Sequence, residues 1–374
     1  MKMQKMKCLI VLTLVVIAAI AHAEGWKAAR QDYGWSFPGD HWARAGYKTE
    51  WWYFTGHLES EEGRRFGYQF TFFRVGLMPQ QPTLASDWTS HNLIMGHAAI
   101  SDLTSGRHVF SEVLYRAVPM LGGFGTYPDS LIAWSRAPAG TDGRWTLRWN
   151  GEAFDFAMAD RKAGMAFSFS TRPLKPLVFQ GPNGYSRKGT GPMSASQYYS
   201  FTRLLTEGTV TVGGETFGVR GESWMDKESG SNQLEEHQAG WDWFSLQLAD
   251  GREVMLYLLR DTSGKVDFAR GTVVSPSGEA YYLAAADFSV RATKRWTSRE
   301  TGATYPSEWV VDLPGEGLRM EVAPELADQE NRSRAVRTLF YWEGAVRVLT
   351  GEGKRIGRGY VELVGYGTKR KPAI

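Results

Sequence analysis

Three ionisable side chains and an indole stand at alternate positions in one run, Phe217-Gly218-Val219-Arg220-Gly221-Glu222-Ser223-Trp224-Met225-Asp226. Successive side chains of a strand point to opposite faces, so Arg220, Glu222, Trp224 and Asp226 share one face. Val219, Gly221, Ser223 and Met225 share the other. Turned into a barrel lumen, the first set would put two carboxylates, a guanidinium and an indole in a partly desolvated site. A desolvated carboxyl keeps its proton to higher pH and can serve as a general acid. Turned to solvent, the same face would carry ordinary surface ion pairs. The alternation leaves both readings open.

The segment that follows, Lys227 to His237, adds Glu228 and His237 and leads into Gly240-Trp241-Asp242-Trp243. A shorter analogue, Phe37-Pro38-Gly39-Asp40-His41, precedes Glu50-Trp51-Trp52-Tyr53. Each half therefore sets an Asp and a His upstream of an aromatic strand, positions that equally suit turns and caps.

Other chemistries find less support. Gly221-Glu222-Ser223-Trp224-Met225 lacks the closing glycine of a nucleophile elbow and sits in a strand pattern. His41, His57, His91, His97, His108 and His237 show no H-E-x-x-H spacing, so no metal site is expected. Gly122-Gly123-Phe124-Gly125 is no phosphate-binding fingerprint, and no cofactor is expected.

The elements that must position these residues form a repeat. Trp51, Tyr53, Phe54 and Leu58 match Trp241, Trp243, Phe244 and Leu248 at a constant offset of 190. Each copy continues through a turn (Gly63; Asp250-Gly251) into a second apolar run, Phe66 to Arg74 and Val254 to Arg260, a hairpin pattern. Two such hairpins predict a duplicated all-β unit. Short alternating runs recur elsewhere, and residues 327–339 are the best short-helix candidate. Halves of this size fit antiparallel barrels of about eight to ten strands, wide enough for one small ligand. The expected division is 24–205 and 206–374. The Gly/Pro-rich stretch 173–196 is expected to be an ordered loop over a barrel mouth or between barrels, since loops this long are usually functional or disordered and Val178, Phe179 and Tyr185 argue against disorder.

The first 23 residues read as a cleaved secretory signal. Lys2, Lys5 and Lys7 precede an apolar run from Cys8 to Ala21, and Ala21-His22-Ala23 is a small-residue cleavage site. The run is shorter than the about 20 residues of a membrane span. A periplasmic or secreted chain follows, with no transmembrane segment. Cys8 is the only cysteine, so the mature chain has no disulfide or thiolate chemistry. The signal's three lysines account for the whole formal charge of +3, so charge points to neither nucleic acid nor anionic lipid. Fifteen tryptophans suit barrel cores and also an apolar or unsaturated ligand.

Several motifs together resemble one family: Trp35-Ser36-Phe37-Pro38-Gly39-Asp40-His41, Glu50-Trp51-Trp52-Tyr53, Lys175-Pro176-Leu177 with Gln180-Gly181, Gly184-Tyr185-Ser186-Arg187-Lys188-Gly189 and Tyr198-Tyr199-Ser200. Glu222-Ser223-Trp224-Met225-Asp226-Lys227-Glu228, Gly240-Trp241-Asp242-Trp243 and Gly359 to Tyr366 complete the set. The chain resembles the AttH-type lipocalin-like family, to which bacterial carotenoid 1,2-hydratases are related. The resemblance implies two tandem lipocalin-like (calycin) antiparallel β-barrels in an exported protein. Many members are labelled only as secreted hydrolases, and some accompany permeases of ABC transporters. The hydratases add water across an isoprenoid double bond: an acid protonates carbon and water captures the cation. Their catalytic Asp falls in a strand similar to Trp224-Met225-Asp226, which makes Asp226 the implied acid. Trp224 stands where they carry Tyr, and Gln197 and Tyr199 where they carry His and Trp.

The expected site therefore has Asp226 as general acid, with Glu222, Glu228 and His237 as further candidates. Trp224, Tyr199, Trp241, Trp243 and Trp52 are the expected walls, in the C-terminal barrel or the seam between barrels. The expected ligand is an elongated hydrophobic lipid or isoprenoid, bound and hydrated or hydrolysed. A lipid carrier or accessory subunit of an ABC transporter is the alternative.

Overall fold

The computed structural model describes residues 25–191, 193–232 and 234–367. The signal expected at 1–23 lies outside them. Among the described residues, helix is confined to three single turns, Gly39–His41, Pro182–Gly184 and Pro314–Glu316, and no helix is long and apolar enough to cross a membrane. The helix expected at 327–339 is absent. Instead Glu330–Arg332 is a strand paired with Phe340–Leu349. The buried Glu330 carboxylate accepts the hydroxyls of Ser298, Thr301 and Tyr305, and these tertiary bonds hold the backbone extended.

All other structure is antiparallel sheet, in two units. The first has thirteen strands and nearly closes into a barrel. Its spatial order starts at Arg107–Arg116 and runs through Asn92–Asp102, Arg65–Gly76, Thr49–Ser60, Glu215–Gly230, Ala195–Val212 and Met165–Pro173. It then continues through Phe154–Asp160, Arg144–Trp149 and Leu131–Arg136 to Gly122–Phe124. The second unit has ten strands and curves into a half-barrel, with Glu253–Asp261, Gln238–Leu248, Arg355–Val364 and Phe340–Leu349 at its centre. The two aromatic hairpins lie centrally in their sheets: Thr49–Ser60 pairs with Arg65–Gly76, and Gln238–Leu248 with Glu253–Asp261.

The chain passes from the first sheet to the second between Gly230 and Gln238. The division expected at 205/206 instead falls inside the Ala195–Val212 strand. That strand and Glu215–Gly230 form a long hairpin belonging wholly to the first sheet. A local repeat cannot reveal this, because the last strands of the first unit close back onto its first strand. From the 173–196 stretch, Val178–Phe179 and Tyr185–Arg187 form short strands on Ala195–Val212. Within it, Lys175 reaches the second unit, donating to Glu253 at 2.8 Å and to the Ser275 carbonyl at 2.9 Å.

Strand alternation divides most of the apolar side chains among three larger cores, and Met95, Leu339, Tyr341 and Val364 form a smaller fourth. Trp52, Phe54 and Leu58 enter the first interior, which is packed with Phe66, Tyr68, Phe70 and Trp145. Phe244, Leu246 and Leu248 enter the second. The intervening residues of both hairpins face each other across a seam, where Tyr53, Tyr198, Trp224, Trp243, Tyr257 and Tyr360 form a third buried cluster. Tyr53 and Trp243, at equivalent positions of the repeat, meet edge to face with centroids 5.2 Å apart, a favoured aromatic geometry. The duplication thus builds the seam from the backs of two matching hairpins.

Candidate functional site

Glu215–Gly230 lies between Thr49–Ser60 and Ala195–Val212, and register places Asp226 opposite Tyr53 on one side and Ser200 on the other. Cross-strand partners share a face. The face carrying Trp224, Asp226 and Glu228 turns out of the first barrel into the seam, and Met225 and Lys227 turn inward. Of the two places expected for this face, the C-terminal barrel and the seam between barrels, it is the C-terminal barrel that the structure corrects. The strand belongs to the first sheet, and the lumen side is already filled by aromatic side chains.

Asp226 is buried and three neutral donors hold it. Ser200 Oγ and Trp224 Nε1 donate to Oδ1 at 2.5 and 2.7 Å, and Tyr198 Oη donates to Oδ2 at 2.7 Å. Burial pushes the carboxyl up to about 7, against the pull of these three donors, and the charge of Glu228 adds to the rise. Oδ1 already accepts twice, so Oδ2 is the oxygen with room for the proton. Near neutral pH the group exists in both forms, the condition that suits a general acid.

Asp226 lines a cavity of about 230 Å³ in the seam, with Trp51, Tyr53, Phe73, Trp241, Trp243 and Tyr257 among its walls. Glu228 accepts from Ser196 and pairs with Lys188 at 2.9 Å. The Lys188 ammonium also sits 4.2 Å from the Tyr257 ring centroid. Burial pulls this ammonium down, but Glu228 beside it holds it above the ordinary lysine value. Across the cavity stand Glu343 and Glu362. Burial raises Glu362 to about 7 while Trp241 Nε1, donating at 2.7 Å, opposes the rise. Burial and the neighbouring Glu362 raise Glu343 well above the usual carboxylate range.

The structure gathers only part of the expected set. Asp226, Glu228, Trp241 and Trp243 line the cavity, and Trp224 supports Asp226 from within the seam. Tyr199 and Trp52 have the opposite strand parity and point into the first barrel. There Tyr199 Oη lies 2.7 Å from His41 Nδ1, and Trp52 lies under the Lys227 ammonium at 4.0 Å. Glu222 lies at the other end of the seam, in a broad cleft of about 500 Å³. Two guanidiniums, Arg203 at 2.7 Å and Arg358 at 2.9 Å, already neutralise it. His237 is exposed and pairs with Asp267 at 3.0 Å. Asp40 binds Arg44 at 3.0 Å, so the two upstream Asp–His pairs form no matched sites.

Tyr198, Ser200, Lys188 and Glu362 stand within the motifs of the family resemblance without being expected at the site, and Glu343 stands in none of them. Tyr198 and Ser200 flank Tyr199, and the parity of Asp226 could have singled them out. Glu343 and Glu362 carry no local signal, because only the packing of the second sheet on the first brings them to the cavity.

The AttH-like family model matches residues 28–366, nearly the whole chain. The chain belongs to the AttH-like family. A solved structure described as an AttH protein from Nitrosomonas europaea is 32% identical, covering 91% of this chain and 99% of that one at a TM-score of 0.78. Kievitone hydratase from Nectria haematococca shares the fold at 14% identity and a TM-score of 0.65, with 92% and 98% covered. No curated protein matches significantly. The two barrel-like sheets are therefore the AttH-like architecture, with the candidate site at their junction.

Proposed function

We propose that this AttH-like protein is an exported lipocalin-like hydratase that admits one end of an elongated, unsaturated hydrophobic molecule to the seam. One observation carries this reading: a buried carboxyl poised near neutrality, held by neutral donors, in the wall of an aromatic cavity. Asp226 in its acid form gives the Oδ2 proton to an alkene carbon, leaving a tertiary cation. Water adds to that cation, and the proton it loses returns to the Asp226 carboxylate, so alkene plus water gives alcohol. The faces of Trp241 and Trp243 stabilise the cation, each by about 0.5–2 kcal/mol. At about 230 Å³ the cavity lies below the ~300 Å³ at which pockets for drug-sized ligands begin, so a long molecule enters by its end only.

The test has two steps. Mass spectrometry of protein extracted from its native envelope identifies the co-purifying molecule. That molecule is then incubated with wild type and Asp226→Asn in ¹⁸O-labelled water. Incorporation of label by wild type and its loss by at least about 10²-fold in the variant is expected. Equal incorporation by both removes Asp226 as the acid.

A further inference from the structure

The seam cavity holds more acid than one protonation requires. Glu343 and Glu362 are directly opposed on neighbouring strands, where like charges destabilise a sheet. Among the described residues neither is paired with a cation. Of the two lysines in the wall, Lys188 is engaged by Glu228 and Lys48 is exposed at the rim. Burying two carboxyls side by side without a counter-charge is costly, and burial raises both above the usual carboxylate range.

A second observation points the same way. Two buried atoms of the wall, Gln69 Oε1 and His97 Nε2, meet no hydrogen-bond partner among the described residues, and the Tyr53 hydroxyl is the neutral neighbour of the Glu343 carboxyl. Gln69 turns its amide nitrogen to Thr71 at 2.6 Å, which leaves its oxygen as a pure acceptor. His97 uses its other ring nitrogen on Tyr341 at 2.7 Å. Trp51, Phe73, Trp241 and Trp243 supply aromatic faces, which attract cations.

We propose that this cavity is a receptor for an organic cation: a compact ammonium group, its nitrogen held by Glu343, Glu362 and Gln69 and enclosed by the aromatic walls. An ammonium supplies the charge that the opposed carboxyls lack and, where it carries N–H, the donors that the free acceptors need. The same preference would favour the carbocation of the proposed hydration, but binding a stable cation requires no turnover and stands apart from that reaction.

Calorimetry separates the two ideas. The probes are benzyltrimethylammonium, its neutral carbon isostere neopentylbenzene, and benzylammonium, which adds N–H donors. Both cations should bind wild type at least about tenfold more tightly than the isostere. Asp226→Asn, the variant that tests hydration, should keep most of that preference. The doubly substituted Glu343→Gln/Glu362→Gln protein, its fold checked by circular dichroism, should lose it. Equal binding of cation and isostere, failure of both cations to bind, or a preference that survives the double substitution overturns the proposal. Should the double variant not fold, the wild-type comparison of charged with neutral probe decides alone.

Discussion

Asp226 and Lys227 are neighbours in one strand, both buried, and both are driven to about 7 from opposite directions. Burial dominates both shifts, yet the two environments differ in kind. Lys227 points into the first barrel, where its ammonium meets the Glu50 carboxylate and lies over the Trp52 ring. Glu50 in turn holds Arg74 at 2.8 Å, and tight packing surrounds the whole group. Asp226 points into the seam, meets only neutral donors directly and borders open volume. A buried charge with its counter-charge in contact is a structural element, costly to disturb. A buried acid without one, at a cavity wall, is free to change protonation state when a ligand arrives. Perturbed titration alone would have ranked the two equally, and geometry separates them.

The largest expected effect comes from breaking the paired side. Glu50→Gln leaves Lys227 and Arg74 without their shared carboxylate and should destabilise the fold by about 3–5 kcal/mol, measured by chemical denaturation. A loss below about 1 kcal/mol would mean that the two environments do not differ as described.

On the unpaired side the effect depends on pH. Burial raises the folded carboxyl of Asp226 to about 7, above the ordinary aspartate value of about 3.9. Its contribution to stability is therefore fully present below about pH 4 and is lost as pH rises through 7. Asp226→Asn, a neutral mimic of the acid form, should be nearly silent at pH 4 and should gain on wild type by on the order of 3–4 kcal/mol by pH 8. The difference between the two proteins must be followed, because buried His57 and His97, held neutral down to about 3 by desolvation, destabilise wild type as pH falls below about 6.5. A constant difference across pH 4–8 would place the ionised carboxylate in water.

A subtler test removes one donor. Trp224→Phe deletes the indole N–H that lowers the Asp226 value. It should move the alkaline limb of any activity profile upward by about one pH unit, read from rates between pH 6 and 9. The smallest effects belong to expected site residues that lie elsewhere. Glu222→Gln, at a partly exposed ion pair, should cost under about 1 kcal/mol and leave turnover unchanged. His237→Gln, with a side chain 51% exposed, should be within about 0.5 kcal/mol of wild type.

Legibility followed the range of the interactions. The aromatic repeat, the hairpins and the shared face of Trp224 and Asp226 could be read because strand alternation is a property of adjacent residues. Tyr199 and Trp52 were misplaced by one position each, and one position reverses a face. The division between sheets was misplaced because Glu215–Gly230 pairs with Thr49–Ser60, more than 150 residues earlier. No local signal records such a pairing.

By itself the sequence determined the strand content, the doubling of one hairpin and the presence of a carboxyl among indoles on one strand face, since period-two patterning is set along the chain. Tertiary structure decided which way that face points. It also brought Glu343 and Glu362 from a second sheet to the same cavity and withheld a counter-charge from Asp226 while giving one to Lys227. Orientation, proximity across sheets and the dielectric around a charge are properties of packing, and they exist only once the two sheets have met.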